Sequence, residues 1–93
     1  MRESSIERAV CEYARKHGVM AIKLAGPNQK GQPDRMFLHK GKVIFIEFKA
    51  PGGKPTPLQE KWLRDLRTQK FIAVVCEDSD DGKWLIDQIF LTQ

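Results

Sequence analysis

Asp34, Glu47 and Lys49 are the residues whose types and spacing could do chemistry in this 93-residue chain. Glu47 and Lys49 sit in an otherwise greasy run, Ile44-Phe45-Ile46-Glu47-Phe48-Lys49, and Asp34 closes the preceding segment Gly31-Gln32-Pro33-Asp34. A strand buried on both faces reads as a continuous apolar run, so a carboxylate inside one carries a desolvation penalty unless a cation or a hydrogen-bond network offsets it. A divalent metal ion would do so. The chemistry implied is metal-assisted: two carboxylates grip one ion, with an ammonium group one step beyond.

The surrounding elements must bring these groups together. His39-Lys40-Gly41-Lys42 reads as a two-residue turn with glycine at the second positive-φ position, joining a strand over residues 34–39 to one over 42–49. In that register 39 faces 42, 37 faces 44 and Asp34 faces Glu47. Directly facing Cβ atoms lie about 4.5–5.5 Å apart, and like charges there are destabilising, which again calls for a cation. A three-residue loop would make the pair diagonal, still close enough to share an ion. Side chains alternate along a strand, so Lys49 shares the face of Glu47 while Phe48 points the other way.

Elsewhere the pattern predicts helices and strands in turn. Ser4 to Glu7 reads as a capping box ahead of a helix over residues 5–17, with Ile6, Val10, Tyr13 and Ala14 as its apolar stripe and Gly18 as its stop. Residues 19–25 read as a strand, and 26–33 as a turn-rich loop opening onto the hairpin. Thr56 caps a second helix with Pro57 at its first position and Leu58, Trp62, Leu63 and Leu66 as its inner face. Residues 71–76 read as a buried strand, 77–81 as a solvent-exposed acidic loop, and 83–91 as a short helix presenting Trp84, Ile86 and Phe90. The order is α-β-β-β-α-β-α. The strand over 43–48 is apolar on both faces and should be central, which gives one α/β domain over 1–93: a mixed β-sheet flanked by helices.

Composition bounds the partners. Net charge is +4, and four of the twelve acids crowd residues 77–81, leaving eight acids against sixteen Lys and Arg over the rest of the chain. A polyanion is the natural partner of such a surface. A domain of this length buries only about 60–65% of its unfolded surface, so it would gain a good deal by dimerising. The N-terminus lacks the apolar stretch of a secretion signal and no run reaches membrane-spanning length, so a cytoplasmic protein with no membrane partner is expected. Cys11 and Cys76 match neither a zinc spacing nor a redox motif and read as reduced small hydrophobes.

Gly31-Gln32-Pro33-Asp34 followed by Glu47-Phe48-Lys49, in this order of elements, resembles the PD-(D/E)XK nuclease superfamily and, within it, the virus-type replication-repair nuclease (VRR-NUC) family. The Lys49-Ala50-Pro51 continuation and a glutamine early in the next helix extend the resemblance over nearly the whole chain. It implies a restriction-endonuclease-like three-layer core. It also implies that Asp34 and Glu47 are metal ligands, Lys49 the catalytic lysine, Glu7 the acid on the first helix and Gln59 a supporting glutamine. Stand-alone members resemble junction-resolving homodimers that cut four-way (Holliday) junctions, of phage or bacterial type and working in the host cytoplasm. The expectation is then a structure-specific DNA endonuclease. Its Mg²⁺, with Mn²⁺ as a substitute, would be held by Asp34, Glu47 and the Phe48 main-chain carbonyl, with Glu7 acting through water or on a second ion. Action on flaps, nicked duplex or single strands, and a binding module that kept the fold without turnover, are the alternatives.

Plainer structural roles compete at each position. Asp34 could be a turn residue after proline, and Glu47 with Lys49 an ion pair on a half-exposed strand. Glu7 and Gln59 each complete a capping box and could serve as cap and site together. Among the basic residues, Lys30, Lys54, Arg35 and Lys61 are candidate phosphate contacts, Lys30 and Lys54 because they flank the proposed ion. Trp62 and Trp84 read as core or dimer contacts.

Overall fold

The turn at Lys40 and Gly41, both at positive φ (49° and 82°), sets the register of the sheet. In the computed structural model, which describes residues 1–24 and 30–92, it joins β2 (Arg35–His39) to β3 (Lys42–Phe48). Their pairing runs from His39 with Lys42 to Arg35 with Ile46. The register is the one expected, but the ladder ends one residue short of Asp34. Asp34 follows Pro33, which has no N–H to donate, and its own side chain takes over the next position: Asp34 Oδ2 accepts the Phe48 N–H at 2.8 Å.

β1 (Met20–Lys23) pairs antiparallel with β2, and β4 (Ile72–Cys76) pairs parallel with β3, giving a mixed sheet in the order β1-β2-β3-β4. The strand expected over 19–25 is shorter at both ends, and its expected end at Ala25, with residues 26–29 of the following loop, lies outside the described residues. Both sheet edges carry an arginine donor. Arg15 Nη2 donates to the Ala21 carbonyl at 3.1 Å, and Arg67 Nε to the Ala73 carbonyl at 2.7 Å. Such contacts occupy edge carbonyls that another strand could otherwise pair with.

Alternation along β3 sorts the layers. Ile44, Ile46 and Phe48, all fully buried, join Phe37 and the stripe Ile6, Val10 and Ala14 of α1 (Glu3–Lys16) in one core, closed by Ile86 and Phe90. α3 (Ser79–Ile86), which continues as a π-helical turn over Asp87–Leu91, packs on the same side. Glu47 and Phe45 face the other way, toward α2 (Pro57–Thr68). This is the three-layer α/β core expected.

Several local expectations change. α1 starts at Glu3 with Arg2 at its N-cap and no side-chain cap, so the Ser4–Glu7 box does not form. Glu7 is drawn instead to Arg35. The loop expected over 77–81 is only Glu77 and Asp78: Asp78 caps α3 by accepting from the Asp80 and Asp81 N–H groups, and those two acids lie in the first turn, where the helix dipole favours negative charge. The strand expected to be buried from Phe71 leaves Phe71 and Ile72 exposed, because β4 is an edge strand. Leu63 is the buried residue of α2, and Trp84 is 62% exposed rather than in the core.

Candidate active site

Three elements deliver three carboxylates to one end of the sheet. Single oxygens of Glu3 (first turn of α1), Asp34 (entry to β2) and Glu47 (end of β3) lie within 4.8 Å of one another. Glu3 is exposed, Asp34 half-buried and Glu47 1% exposed. The parallel ladder explains how the backbone joins them. Lys49 N–H donates to Cys76 C=O at 3.0 Å, so the N–H and C=O of Phe48 point away from β4, to the side where Asp34 sits.

Glu47 is held on one oxygen and bare on the other. Its Oε2 accepts from Gln59 Nε2 at 3.0 Å and lies 3.5 Å from Lys49 Nζ, whereas its Oε1 is buried with no hydrogen-bond partner among the described residues. Gln59 cannot turn its amide round without loss, because its Oε1 accepts the Thr56 N–H at 2.8 Å. The Thr56–Gln59 capping box therefore directs the Gln59 NH₂ group at Glu47, serving cap and site together as the sequence allowed. Burial, reinforced by the neighbouring Asp34 charge and only partly offset by Lys49, pushes the Glu47 carboxyl up to about 7. Burial also raises that of Asp34, against the lowering effect of the Phe48 N–H.

A hard divalent cation fits these groups. Two oxygens on one Mg²⁺ are at most about 4.2 Å apart, close to the spread of the three carboxylates. A buried carboxylate oxygen without a donor is a polar atom that an ion would satisfy.

The other candidates fall elsewhere. Glu7 is not in the carboxylate cluster: its Oε2 accepts from Arg35 Nε at 2.6 Å, which also engages Arg35. Glu3, missed from the sequence, lies one helical turn nearer the N-terminus on the same face, and an i, i+4 acid pair at a helix start was the signal that could have exposed it. Lys61 pairs with Asp65 on the surface of α2, while Lys30 and Lys54 are exposed beside the site elements.

The comparisons with known proteins agree with this geometry. The sequence profile of the VRR-NUC domain matches residues 2–80. Over 60 residues the chain is 50% identical to a protein of Acyrthosiphon pisum secondary endosymbiont phage 1 that bears the name "Putative nuclease p44"; the match covers 63% of this chain and 64% of that one's length. A solved structure described as a VRR_NUC domain superposes with a TM-score of 0.82 at 23% identity, covering 95% of this chain and 97% of the other. The fold places the protein among α/β proteins with the three-layer core of the VRR_NUC structure. The chain belongs to the VRR-NUC family.

Proposed function

We propose that this chain is a Mg²⁺-dependent endodeoxyribonuclease that hydrolyses phosphodiester bonds in branched DNA, four-way junctions above all, as a homodimer. The convergence of Glu3, Asp34 and Glu47 beside Lys49, with one Glu47 oxygen buried and bare, carries this reading. The name of the phage relative supports it.

Asp34, Glu47 and the Phe48 carbonyl would hold the ion, with Glu3 reaching it from the exposed side in the place first expected of Glu7. Bound there, Mg²⁺ or Mn²⁺ supplies charge neutralisation at the phosphoryl group and lowers the pKa of water at the site. Lys49 orients the attacking water and stabilises charge developing on a phosphoryl oxygen. Gln59 keeps the second Glu47 oxygen turned into the site. Lys30 and Lys54, on segments beside the carboxylates, would contact flanking phosphates.

Glu3 and Glu7 separate cleanly by experiment. Glu3→Gln is expected to weaken Mg²⁺ binding and cleavage by roughly 10- to 100-fold. Glu7→Gln should leave cleavage within a few-fold and instead lower stability by about 1 kcal/mol, because Arg35 loses a partly exposed partner. Calorimetric Mg²⁺ titration and urea unfolding of both variants check this, and the opposite pattern returns the role to Glu7.

For the dimer, the sheet face that carries Glu47 offers an apolar band. Met20, Leu38 and Val43 follow one another across β1, β2 and β3 in register, with Phe71 leading into β4, and Met20 and Phe71 are 57% and 42% exposed. An isologous pair sharing this band would present two sites related by a twofold axis, suited to paired cuts in a symmetric junction. Labelled four-way, flap and linear duplex DNA incubated with Mg²⁺ or EDTA, alongside light scattering of the native protein and Met20→Lys, tests these points together. Metal-dependent cutting of the four-way substrate by a dimer that Met20→Lys dissociates is expected. Cutting of other substrates alone, or a native monomer, refutes the corresponding part.

A further inference from the structure

Trp62 has no place in the chemistry above, yet it is bonded to the segment that carries Asp34. Its indole Nε1–H donates to the Lys30 carbonyl at 3.2 Å. One residue on, Gly31 adopts φ +83°, and a Cβ there would lie 2.5 Å from Leu58 Cγ, 3.0 Å from Trp62 Cδ1 and 3.1 Å from the Leu58 carbonyl carbon. The chain lies directly against α2 at this point, closer than any side chain at 31 would allow. Pro33 beyond it is fully buried, and Asp34 follows, tied to the Phe48 N–H.

The first two turns of α2 therefore bear on both carboxylates, on Glu47 directly and on Asp34 through the segment ahead of it. Gln59 holds Glu47 directly. Leu58 and Trp62 hold the 30–33 segment against the helix, and that segment delivers Asp34. We propose that Trp62 is a positioning residue of the metal site: by latching residues 30–33 onto the same helical turns that hold Glu47, it sets the separation of the Asp34 and Glu47 carboxylates and hence the affinity for the divalent ion. The proposal rests on the metal-dependent reading above and adds to it a residue that touches neither ion nor substrate. The latch needs three things at once: an indole donor at 62, a free carbonyl at 30 and no side chain at 31. Metal ligation tolerates little displacement, since supporting groups outside the ligand shell commonly change affinity 10- to 100-fold.

Magnesium titration of the intact protein tests it, by calorimetry and by the two tryptophan indole ¹H–¹⁵N signals, with Trp84→Phe assigning them. The Trp62 indole signal should move with Mg²⁺ saturation while that of Trp84 stays still. Trp62→Phe, which keeps an aromatic ring and removes the donor, should raise the Mg²⁺ Kd five- to tenfold. Gly31→Ala should raise it further, and if that variant fails to fold Trp62→Phe carries the test. Arg67→Ala, at the far end of the same helix, removes the bond to Ala73 and lowers stability without touching residues 30–34. Its Kd should stay within twofold of the native value, which separates positioning from general loosening. A Trp62→Phe Kd within twofold of native, or an unmoved Trp62 signal, overturns the latch while leaving the metal site standing. No saturable Mg²⁺ binding by the native protein overturns both.

Discussion

Glu47→Gln is expected to abolish cleavage and at the same time to stabilise the metal-free protein above neutral pH. The first effect should be at least on the order of 10³-fold in kcat, the scale on which single groups at a charged transition state count. The second follows from burial. A carboxylate that is 1% exposed, with one oxygen bare and its pKa pushed from 4.5 up to about 7, is held ionised at pH 8 against its environment. At 1.36 kcal/mol per pKa unit, the shift corresponds to up to about 3 kcal/mol. The sign is unusual for an acid. Between pH 4.5 and about 7 the folded protein keeps a proton that the unfolded chain releases, so this contribution is full below pH 4.5 and lost as pH rises through about 7. Asp34, also raised, adds in the same direction. Other carboxylates titrate over the same range, so the informative quantity is native minus variant. Urea unfolding in EDTA from pH 4 to 8.5 should give a difference near zero at the acid end, with Glu47→Gln the more stable at the alkaline end. Gln suits this better than Ala, because its amide oxygen still accepts from Gln59 and no cavity opens. Added Mg²⁺ should stabilise the native protein at pH 8 and do little for the variant. A difference that stays flat with pH would mean that Glu47 is not ionised against its surroundings, and the metal assignment would lose its physical basis.

Lys49→Ala carries the second large effect and separates catalysis from binding. Its ammonium lies 3.5 Å from Glu47 Oε2 with the side chain 14% exposed, close enough to act inside the site and open enough to meet a phosphate. Removing it should lower kcat by roughly 10²–10³-fold, as loss of one donor at a developing oxyanion does. DNA affinity should change by only a few-fold, because one phosphate contact among several is lost. Mg²⁺ affinity should hold or improve, since a cation beside the ion has gone. Single-turnover cleavage and filter binding at fixed salt read the first two, and calorimetry the third. Lys49→Arg should restore little, because the wider guanidinium does not place a compact charge at the same point. Cleavage that survives Lys49→Ala would remove the lysine from the chemistry and leave it as a screen for Glu47.

How far these sites could be read in advance differs with the distance over which each interaction acts. The hairpin was legible because two adjacent positive-φ residues dictate its turn and the turn dictates the register, so Asp34 and Glu47 could be brought together on paper. The Thr56–Gln59 box was legible for the same local reason, and so was the burial of Ile44, Ile46 and Phe48 on one face. At the start of α1, local reasoning misled. Ser4 and Glu7 have the spacing of a cap, but Arg35, 28 residues on, offers Glu7 a charged partner at 2.6 Å and leaves Glu3 for the carboxylate cluster. The acids at 77–81 are exposed as read, but Asp78 caps and Asp80 and Asp81 open a helix rather than a loop, and its Ile86 belongs to the core.

What the sequence determined by itself is the class of the fold, the pairing of β2 with β3 and the one acid, Glu47, that interrupts a buried strand. All of these follow from periodicity and from bonds between near neighbours. Only the tertiary structure decided which α1 glutamate joins the cluster, which oxygen of Glu47 is left bare, and that Trp62 grips the chain ahead of Asp34. Those depend on where helices land on the sheet. Helix placement comes from burying whole faces at once, and no pair of residues close in sequence encodes it.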